Sequence, residues 1–141
     1  MRRAHTLPEL ALTLALLAII AATAVPRVFD LAARWRVRAA VGDVVNALVL
    51  AREAALARGT VASFVINAAR GEVVVTCAGD TIVHRAVGAV HGVTFAASGD
   101  SVRYAPDGLA TGVSNTTVLV ALGAHVDSVV VSRLGRIRWT E

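Results

Sequence analysis

The sequence predicts an α+β fold in which a long N-terminal helix packs on an antiparallel β-sheet or sandwich domain. The first half of that helix is expected to span a membrane and the second half to be amphipathic. An uncharged run from Leu10 to Val25 indicates the span, and short Val-rich runs from Thr60 onward indicate the strands. Of the 141 residues, 56% are apolar and 17% charged, which excludes a disordered chain.

The apolar run lies between Glu9 and the pair Pro26-Arg27. As a helix its residues rise about 24 Å, which is short of a hydrocarbon core of roughly 30 Å. Val28 and Phe29 extend it, and a mismatch of this size has a modest cost. The segment can therefore be a plain membrane anchor. It can equally be a secretory signal peptide, with two arginines before the run and release after the small residues Ala22 to Ala24.

A third interpretation begins before the run. The segment from His5 to Pro26 resembles the N-terminus of a type IV prepilin, in which a short basic leader precedes Phe-Thr-Leu-x-Glu and an apolar helix containing Pro. The positions that match are Thr6, Leu7, Glu9 and Pro26. Two positions depart, since Ala4 stands where Gly is usual and His5 where Phe is usual. The resemblance implies a leader of residues 1–4, cleavage by prepilin peptidase between Ala4 and His5, and methylation of the new His5 amine.

Glu9 has two interpretations. Locally, Thr6 and Glu9 have the spacing of a capping box, which satisfies two backbone amides at a helix start. Between subunits, the resemblance implies that Glu9 pairs with the free amine of His5 in a neighbouring subunit and sets the register of assembly. A carboxylate in an apolar filament core is costly unless it meets a cation.

After Pro26, where a kink is expected, the helical pattern resumes. Apolar residues spaced three and four apart form a stripe that is expected to cover the sheets: Val37, Val41, Val44, Leu48, Ala51 and Ala55. Arg58-Gly59 ends the helix, with a basic last turn followed by Gly. The predicted segments are therefore a leader over residues 1–4, a transmembrane and filament-core helix over 5–29, an amphipathic helix over 30–58 and a β-rich domain over 59–141.

The β-rich domain divides into short runs separated by turn residues. A hairpin is expected around residues 68–71, and Asp107 to Asn115 is expected to be a loop. The predicted strands are residues 60–67, 72–77, 81–87, 92–95, 101–104, 116–122, 126–132 and 136–140.

Three segments of the body give a second resemblance. They are Ala51-Arg52-Glu53-Ala54, Tyr104-Ala105-Pro106-Asp107-Gly108 and Gly135-Arg136-Ile137-Arg138-Trp139. Their order is similar to that of the GspH/FimT family of minor pseudopilins. That resemblance implies a pilin-like fold and a non-enzymatic subunit of a type II secretion pseudopilus or a type IV pilus. It implies a single-pass protein of the bacterial inner membrane with a periplasmic C-terminal domain, whose partners are prepilin peptidase and other minor and major pilins.

The sequence contains no catalytic motif, and we expect no cofactor, no metal and no small-molecule substrate. His84 and His91 are not spaced as a helical metal pair, and Cys77 lacks a second cysteine. Cys77 is expected to be a small buried residue. The aspartates in turns are expected to form those turns, because the spacing of a calcium-binding loop is missing.

The C-terminal segment contains Arg133, Arg136 and Arg138, with Arg103 as a further candidate neighbour. Side chains alternate along a strand, so Arg136 and Arg138 are expected on one face. Guanidinium groups suit phosphates, and the Gly-Arg-x-Arg pattern resembles the tail of FimT-like pilins implicated in DNA capture. The patch is therefore a candidate DNA-binding site. The alternatives are a solvated strand face or a contact with protein.

Overall fold

The structure is a computed structural model that describes residues 7–111 and 115–140. Its first element, helix α1, runs from Leu7 to Arg58 and is helical through Pro26. The residues form two compact units, one up to Ala32 and one from Ala33 onward. In the first unit the described residues are almost all exposed, and they include one stretch that is long and apolar enough to span a membrane, with a mean hydropathy of 2.0.

In the second unit, α1 buries the stripe that its spacing predicts. Every residue of that stripe is buried, together with Ala40 and Ala47. Arg38, Arg52 and Glu53 are exposed on other faces of the helix. The helix ends at Arg58, as predicted, and Gly59 follows with a positive φ of 60° that a residue with a Cβ adopts less readily.

The first sheet has five antiparallel strands in the order β3-β2-β1-β5-β6. Their bounds are β1 Ala62–Asn67, β2 Glu72–Cys77, β3 Asp80–Arg85, β5 Ser101–Tyr104 and β6 Ala110–Thr111. The predicted hairpin joins β1 to β2, and the Arg70 amide donates to Asn67 Oδ1 at 3.1 Å within it. A register shift between Val75 and Thr76 interrupts the pairing of β2 with β3.

The second sheet has four antiparallel strands in the order β4-β7-β8-β9. Their bounds are β4 Thr94–Ala97, β7 Thr116–Leu122, β8 His125–Val131 and β9 Ile137–Thr140. Residues from both sheets and from α1 share one core, in which Phe64, Val118 and Leu48 are completely buried. This arrangement is the α+β fold that the sequence predicts, with a long N-terminal helix and antiparallel sheets.

Two segments differ from the prediction in type, and the strand predicted over residues 92–95 begins only at Thr94. The expected strand over residues 81–87 ends at Arg85, and Val87–His91 form a short helix, α2. This helix ends at Gly92, whose φ of 68° is left-handed. The expected loop over 107–115 contains the short strand β6, because Ala110 and Thr111 extend the sheet at the edge of β5. Residues 112–114 of that segment lie outside the described residues.

Candidate functional site

The N-terminal motif is only partly within the described residues. Ala4, His5 and Thr6 lie outside them, so the cleavage position and the capping box stay predictions. Leu7 begins α1, and Glu9 lies in its first turn with an exposed side chain. Pro26 lies within the helix. The motif therefore occupies the start of a helix whose first unit presents apolar side chains outward.

The apolar surface of that first unit is extensive. Large side chains are exposed along its whole length, including Leu10, Leu16, Ile20 and Phe29. Phe29 is 71% exposed, which is unusual for a residue of this size. A contiguous apolar surface on this scale indicates a membrane or a protein partner. The helix is therefore compatible with single-pass membrane anchoring.

The three body segments that the sequence analysis singles out converge in the second unit. A Cβ placed on Gly108 would lie 3.2 Å from both Arg52 Nε and Leu56 Cδ2 of α1. A Cβ placed on Gly135 would lie 3.0 Å from the Gly108 carbonyl oxygen and 3.3 Å from Tyr104 Cε1. We call this meeting point the motif junction and define it by Arg52, Tyr104, Gly108 and Gly135.

Glycine is strongly favoured at two positions of the motif junction. Gly108 and Gly135 both have positive φ, 77° and 73°, and both have backbone or side-chain atoms within 3.2 Å of the position that a Cβ would occupy. The β8–β9 turn closes with the Gly135 amide donating to the Ser132 carbonyl at 2.9 Å. The motif junction is thus a packing device, which joins the turn before β9 to the turn after β5.

Tyr104 is the largest fully buried side chain of the core. Its hydroxyl is buried and has no hydrogen-bond partner among residues 7–111 and 115–140. Burial raises the pKa of Tyr104 above its usual value of 10.0, and the positive charge of Arg52 partly opposes that rise. The ring therefore contributes apolar contact to the motif junction, and its hydroxyl stays protonated at neutral pH.

The structure places the three C-terminal arginines at the surface. Arg133 lies in the turn after β8, Arg136 immediately before β9, and Arg138 within β9 opposite Val130. All three are exposed, whereas Ile137 between the last two is half-buried against the core. Exposure does not alternate further along β9, because Trp139 and Thr140 are exposed as well as Arg138.

Arg133 also borders a cavity that the sequence does not reveal. The cavity has a volume of about 540 Å³ and is bordered by Arg103 of β5, Asp100, Thr116 of β7 and Ser132. Arg103 belongs to the first sheet and Arg133 follows a strand of the second, so the cavity lies where the ends of the two sheets meet. Arg136 and Arg138 do not line it.

A polar cluster ties three elements together elsewhere in the second unit. Asp43 of α1 accepts a hydrogen bond from Arg85 Nη1 of β3 and lies 2.9 Å from His91 Nε2 of α2. Asp43 and His91 are largely buried. Sequence reasoning missed this cluster because its members are far apart in the chain. Both histidines that were considered as metal ligands lie beside a carboxylate. His91 lies beside Asp43, and His84 Nε2 lies 3.7 Å from Glu72 Oε2.

Comparison with known families decides the assignment. The family model described as "Type II transport protein GspH" matches residues 40–135, which is more than half of the chain. The chain belongs to the GspH family. The matched range includes all four residues of the motif junction, and it begins three residues after Val37, the first buried residue of α1. No curated protein matches the sequence.

Solved structures agree with the GspH assignment at the level of fold. Two crystal forms of the type IV minor pilin FimU from Pseudomonas aeruginosa PAO1 are similar to this chain. The P21 form has a TM-score of 0.64 at 12% identity, and the match covers 77% of this chain and 90% of FimU. The P65 form has a TM-score of 0.61 at 12% identity, with 74% and 92% covered. This GspH-family chain thus has the fold of a minor pilin.

The remaining candidate residues of the GspH-family chain have structural roles. Cys77 is buried, as predicted, and its Sγ donates to the Ala54 carbonyl of α1 at 3.7 Å. Arg58 Nη1 donates to the Cys77 carbonyl and to Asp80 Oδ2, both at 3.2 Å. Among the described residues, no group of three His, Cys, Asp or Glu side chains is arranged to hold a metal ion.

Proposed function

We propose that this chain is a non-enzymatic minor pseudopilin, which prepilin peptidase processes between Ala4 and His5. In this proposal the apolar half of α1 first anchors the chain in the bacterial inner membrane, with the β-rich domain in the periplasm. It then packs among sister helices at or near the tip of a type II secretion pseudopilus or a type IV pilus. The subunit thereby supports protein secretion or pilus biogenesis.

The observation that carries this proposal is the contrast between the two halves of α1. The second half buries its apolar stripe completely within its own domain, whereas the first half exposes large apolar side chains such as Leu16 and Ile20. A helix of this kind needs an apolar environment from outside the chain. Family membership in GspH makes lipid, and then neighbouring subunits, the environment that fits.

Glu9 has a specific part in the proposed assembly. It is the acidic residue of the first helical turn and stands one position before the uncharged run. Cleavage before His5 creates an amine four residues away in sequence. The amine of a neighbouring subunit then offers Glu9 a cation within the apolar filament, which offsets the cost of burying a carboxylate.

The experiment that tests the proposal is the intact mass of the full chain after coexpression with a prepilin peptidase. A chain that begins at His5, with the mass of one added methyl group, is the expected result. A chain that begins at Val25 would overturn the proposal, since it would mean release by signal peptidase after Ala24. An unprocessed chain in the membrane would likewise contradict it and would leave a plain anchor.

A second candidate function is DNA binding during uptake, through Arg133, Arg136 and Arg138. The observation that favours it is the exposure of all three arginines, together with the placement of Arg103 and Arg133 on one cavity. Few aromatic side chains accompany these arginines, so the binding would be weak, nonspecific and sensitive to salt. Asp100 borders the same cavity and reduces its positive charge.

A gel shift at low and at moderate salt separates the two functions. A triple variant with Arg133, Arg136 and Arg138 changed to Ala is compared with a variant in which Arg70, an exposed arginine of the β1–β2 hairpin, is changed to Ala. Loss of the shift in the triple variant alone would support the DNA-binding function. The absence of any shift with the unaltered chain would exclude it.

A further inference from the structure

A basic and aromatic segment of α1 follows the proposed membrane span. We define the interfacial collar as Arg34, Trp35, Arg36 and Arg38, all of which are exposed. Trp35 is 62% exposed, which makes it one of the most exposed large apolar side chains of the second unit. The collar itself contains no acidic residue, and Asp30 precedes Arg34 by four residues, so the collar and Asp30 together carry a net charge of +2.

The collar is fixed rather than free to adapt. Val37, in its middle, is only 1% exposed and belongs to the shared core. The guanidinium carbon of Arg38 lies 6.0 Å from the centroid of the Trp35 ring, at the outer limit of a cation–π contact. Burying Val37 in the core therefore holds Trp35 and its arginines on the outer surface of the helix.

The position of the collar in the sequence matches the interface of a bilayer. A hydrocarbon core of roughly 30 Å takes about 20 helical residues, which counted from Leu10 end at Phe29. Trp35 follows six residues later. Tryptophan is enriched at the boundary between lipid and water, because its apolar ring contacts lipid while its N–H group donates a hydrogen bond to water. Arginine side chains beside a span extend to the headgroups, with which they pair.

We infer that the interfacial collar binds anionic phospholipid headgroups on the side of the membrane where the apolar span ends. The arginines select negative headgroups over zwitterionic ones, and the Trp35 ring lies in the headgroup region. This inference rests on the proposed membrane anchoring of α1, and it adds the class of lipid that the anchored subunit prefers. It also explains why three exposed arginines surround an exposed tryptophan at this point of the helix.

The test uses the full chain reconstituted into vesicles. Trp35 and Trp139 are the two tryptophans, so Trp139→Phe leaves Trp35 as the single fluorophore. Vesicles contain equal mole fractions of phosphatidylglycerol and phosphatidylcholine, and in each sample one of the two is brominated near the top of its acyl chains. We expect brominated phosphatidylglycerol to quench Trp35 about threefold more effectively than brominated phosphatidylcholine.

Charge-removing variants make the test specific. In the double variant Arg36→Gln with Arg38→Gln, the two brominated lipids are expected to quench Trp35 equally. The matched control, Arg70→Gln with Arg103→Gln, removes the same charge from exposed positions on the β-rich part and is expected to keep the preference. Equal quenching by both lipids in the unaltered chain would overturn the inference.

Resistance to alkaline carbonate extraction separates this inference from the proposed function. A chain that resists extraction but shows no lipid preference is anchored, and only the collar inference fails. A chain that carbonate extracts is not anchored by α1, and then both the membrane proposal and the collar inference fail.

Discussion

At the scale of single residues, the motif junction shows how weak sequence signals acquire a physical meaning. Arg52, Tyr104, Gly108 and Gly135 lie in three separate segments, and each segment alone is a poor indicator of family. In the structure they lie so close together that a Cβ on Gly108 would come within 3.2 Å of Arg52, and a Cβ on Gly135 within 3.3 Å of Tyr104. The order of the segments could therefore be recognised from the sequence. Their contact could not be predicted, because the spacing of the segments does not determine which turns lie close together.

The buried hydroxyl of Tyr104 leads to the first prediction. It has no partner among the described residues, so Tyr104→Phe is expected to leave the free energy of unfolding unchanged or to raise it by about 1 kcal/mol at neutral pH. Urea unfolding of the full chain in detergent measures this. A loss of more than about 1 kcal/mol would mean that the hydroxyl makes a stabilising hydrogen bond.

Because of Tyr104, we also expect the stability of the fold to depend on pH in the alkaline range. Burial raises the pKa of Tyr104 in the folded state, so the unfolded chain loses the proton first as the pH rises past 10.0. The contribution of Tyr104 to stability is thus fully present below that pH and is lost as the pH rises through the folded pKa. Tyr104 is the single tyrosine, so phenolate absorbance reports it directly. Titration at the ordinary pKa in the folded chain would contradict the prediction.

Gly135 gives a second residue-scale prediction with a matched control. Gly135→Ala is expected to lower the free energy of unfolding by about 1–2 kcal/mol, because alanine adopts a left-handed backbone less readily than glycine. The new Cβ would also lie 3.0 Å from the Gly108 carbonyl oxygen, and this crowding should add to the loss. Gly123 has a φ of 60° with no atom near its Cβ position, so Gly123→Ala should show the backbone cost alone. Equal losses of thermal stability in the two variants would argue against tight packing at the motif junction.

At the scale of elements, long periodic segments could be predicted and short ones could not. The stripe of α1 repeats over five turns, so its buried residues and its end at Arg58 follow from the sequence. Helix α2 has only five residues, and its two valines favour a strand over a helix. Strand β6 exists because β5 offers it a free edge, which is a tertiary cause that no local pattern contains.

The joining of α1, β3 and α2 through Asp43 gives a prediction at this scale. Asp43→Ala removes the acceptor of Arg85 and the partner of His91, and is expected to cost about 1 kcal/mol, since Arg85 is more than half exposed. Glu53→Ala changes an exposed acid of the same helix and should cost less than about 0.5 kcal/mol. Urea unfolding of both variants checks this. An Asp43→Ala loss no larger than that of Glu53→Ala would show that packing alone holds α2 in place.

At the scale of the whole molecule, the two halves of α1 have different roles, since the second half stabilises the domain and the first half is available for assembly. The second half of α1 completes the core of its own domain, and the first half presents its apolar side chains to the surroundings. The fold of the domain could be anticipated because burial patterns are local in sequence. The partner of the first half could not be read in the same way, because an exposed apolar helix suits lipid and sister helices equally well.

Glu9 gives the prediction that belongs to this scale. If a neighbouring amine neutralises Glu9 within the filament, Glu9→Gln leaves that amine without its counter-charge in an apolar environment, at a cost of several kcal/mol. We expect Glu9→Gln to enter the membrane and to be cleaved normally, but to be incorporated into sheared filaments at least about tenfold less than the unaltered chain. Glu53→Gln removes an acid from the second half of the same helix and should assemble normally.

Immunoblots of sheared filaments and of membranes, with major pilin as the reference, measure both steps. Normal incorporation of Glu9→Gln would show that apolar packing alone sets the register, and failure of membrane insertion would place the role of Glu9 before assembly.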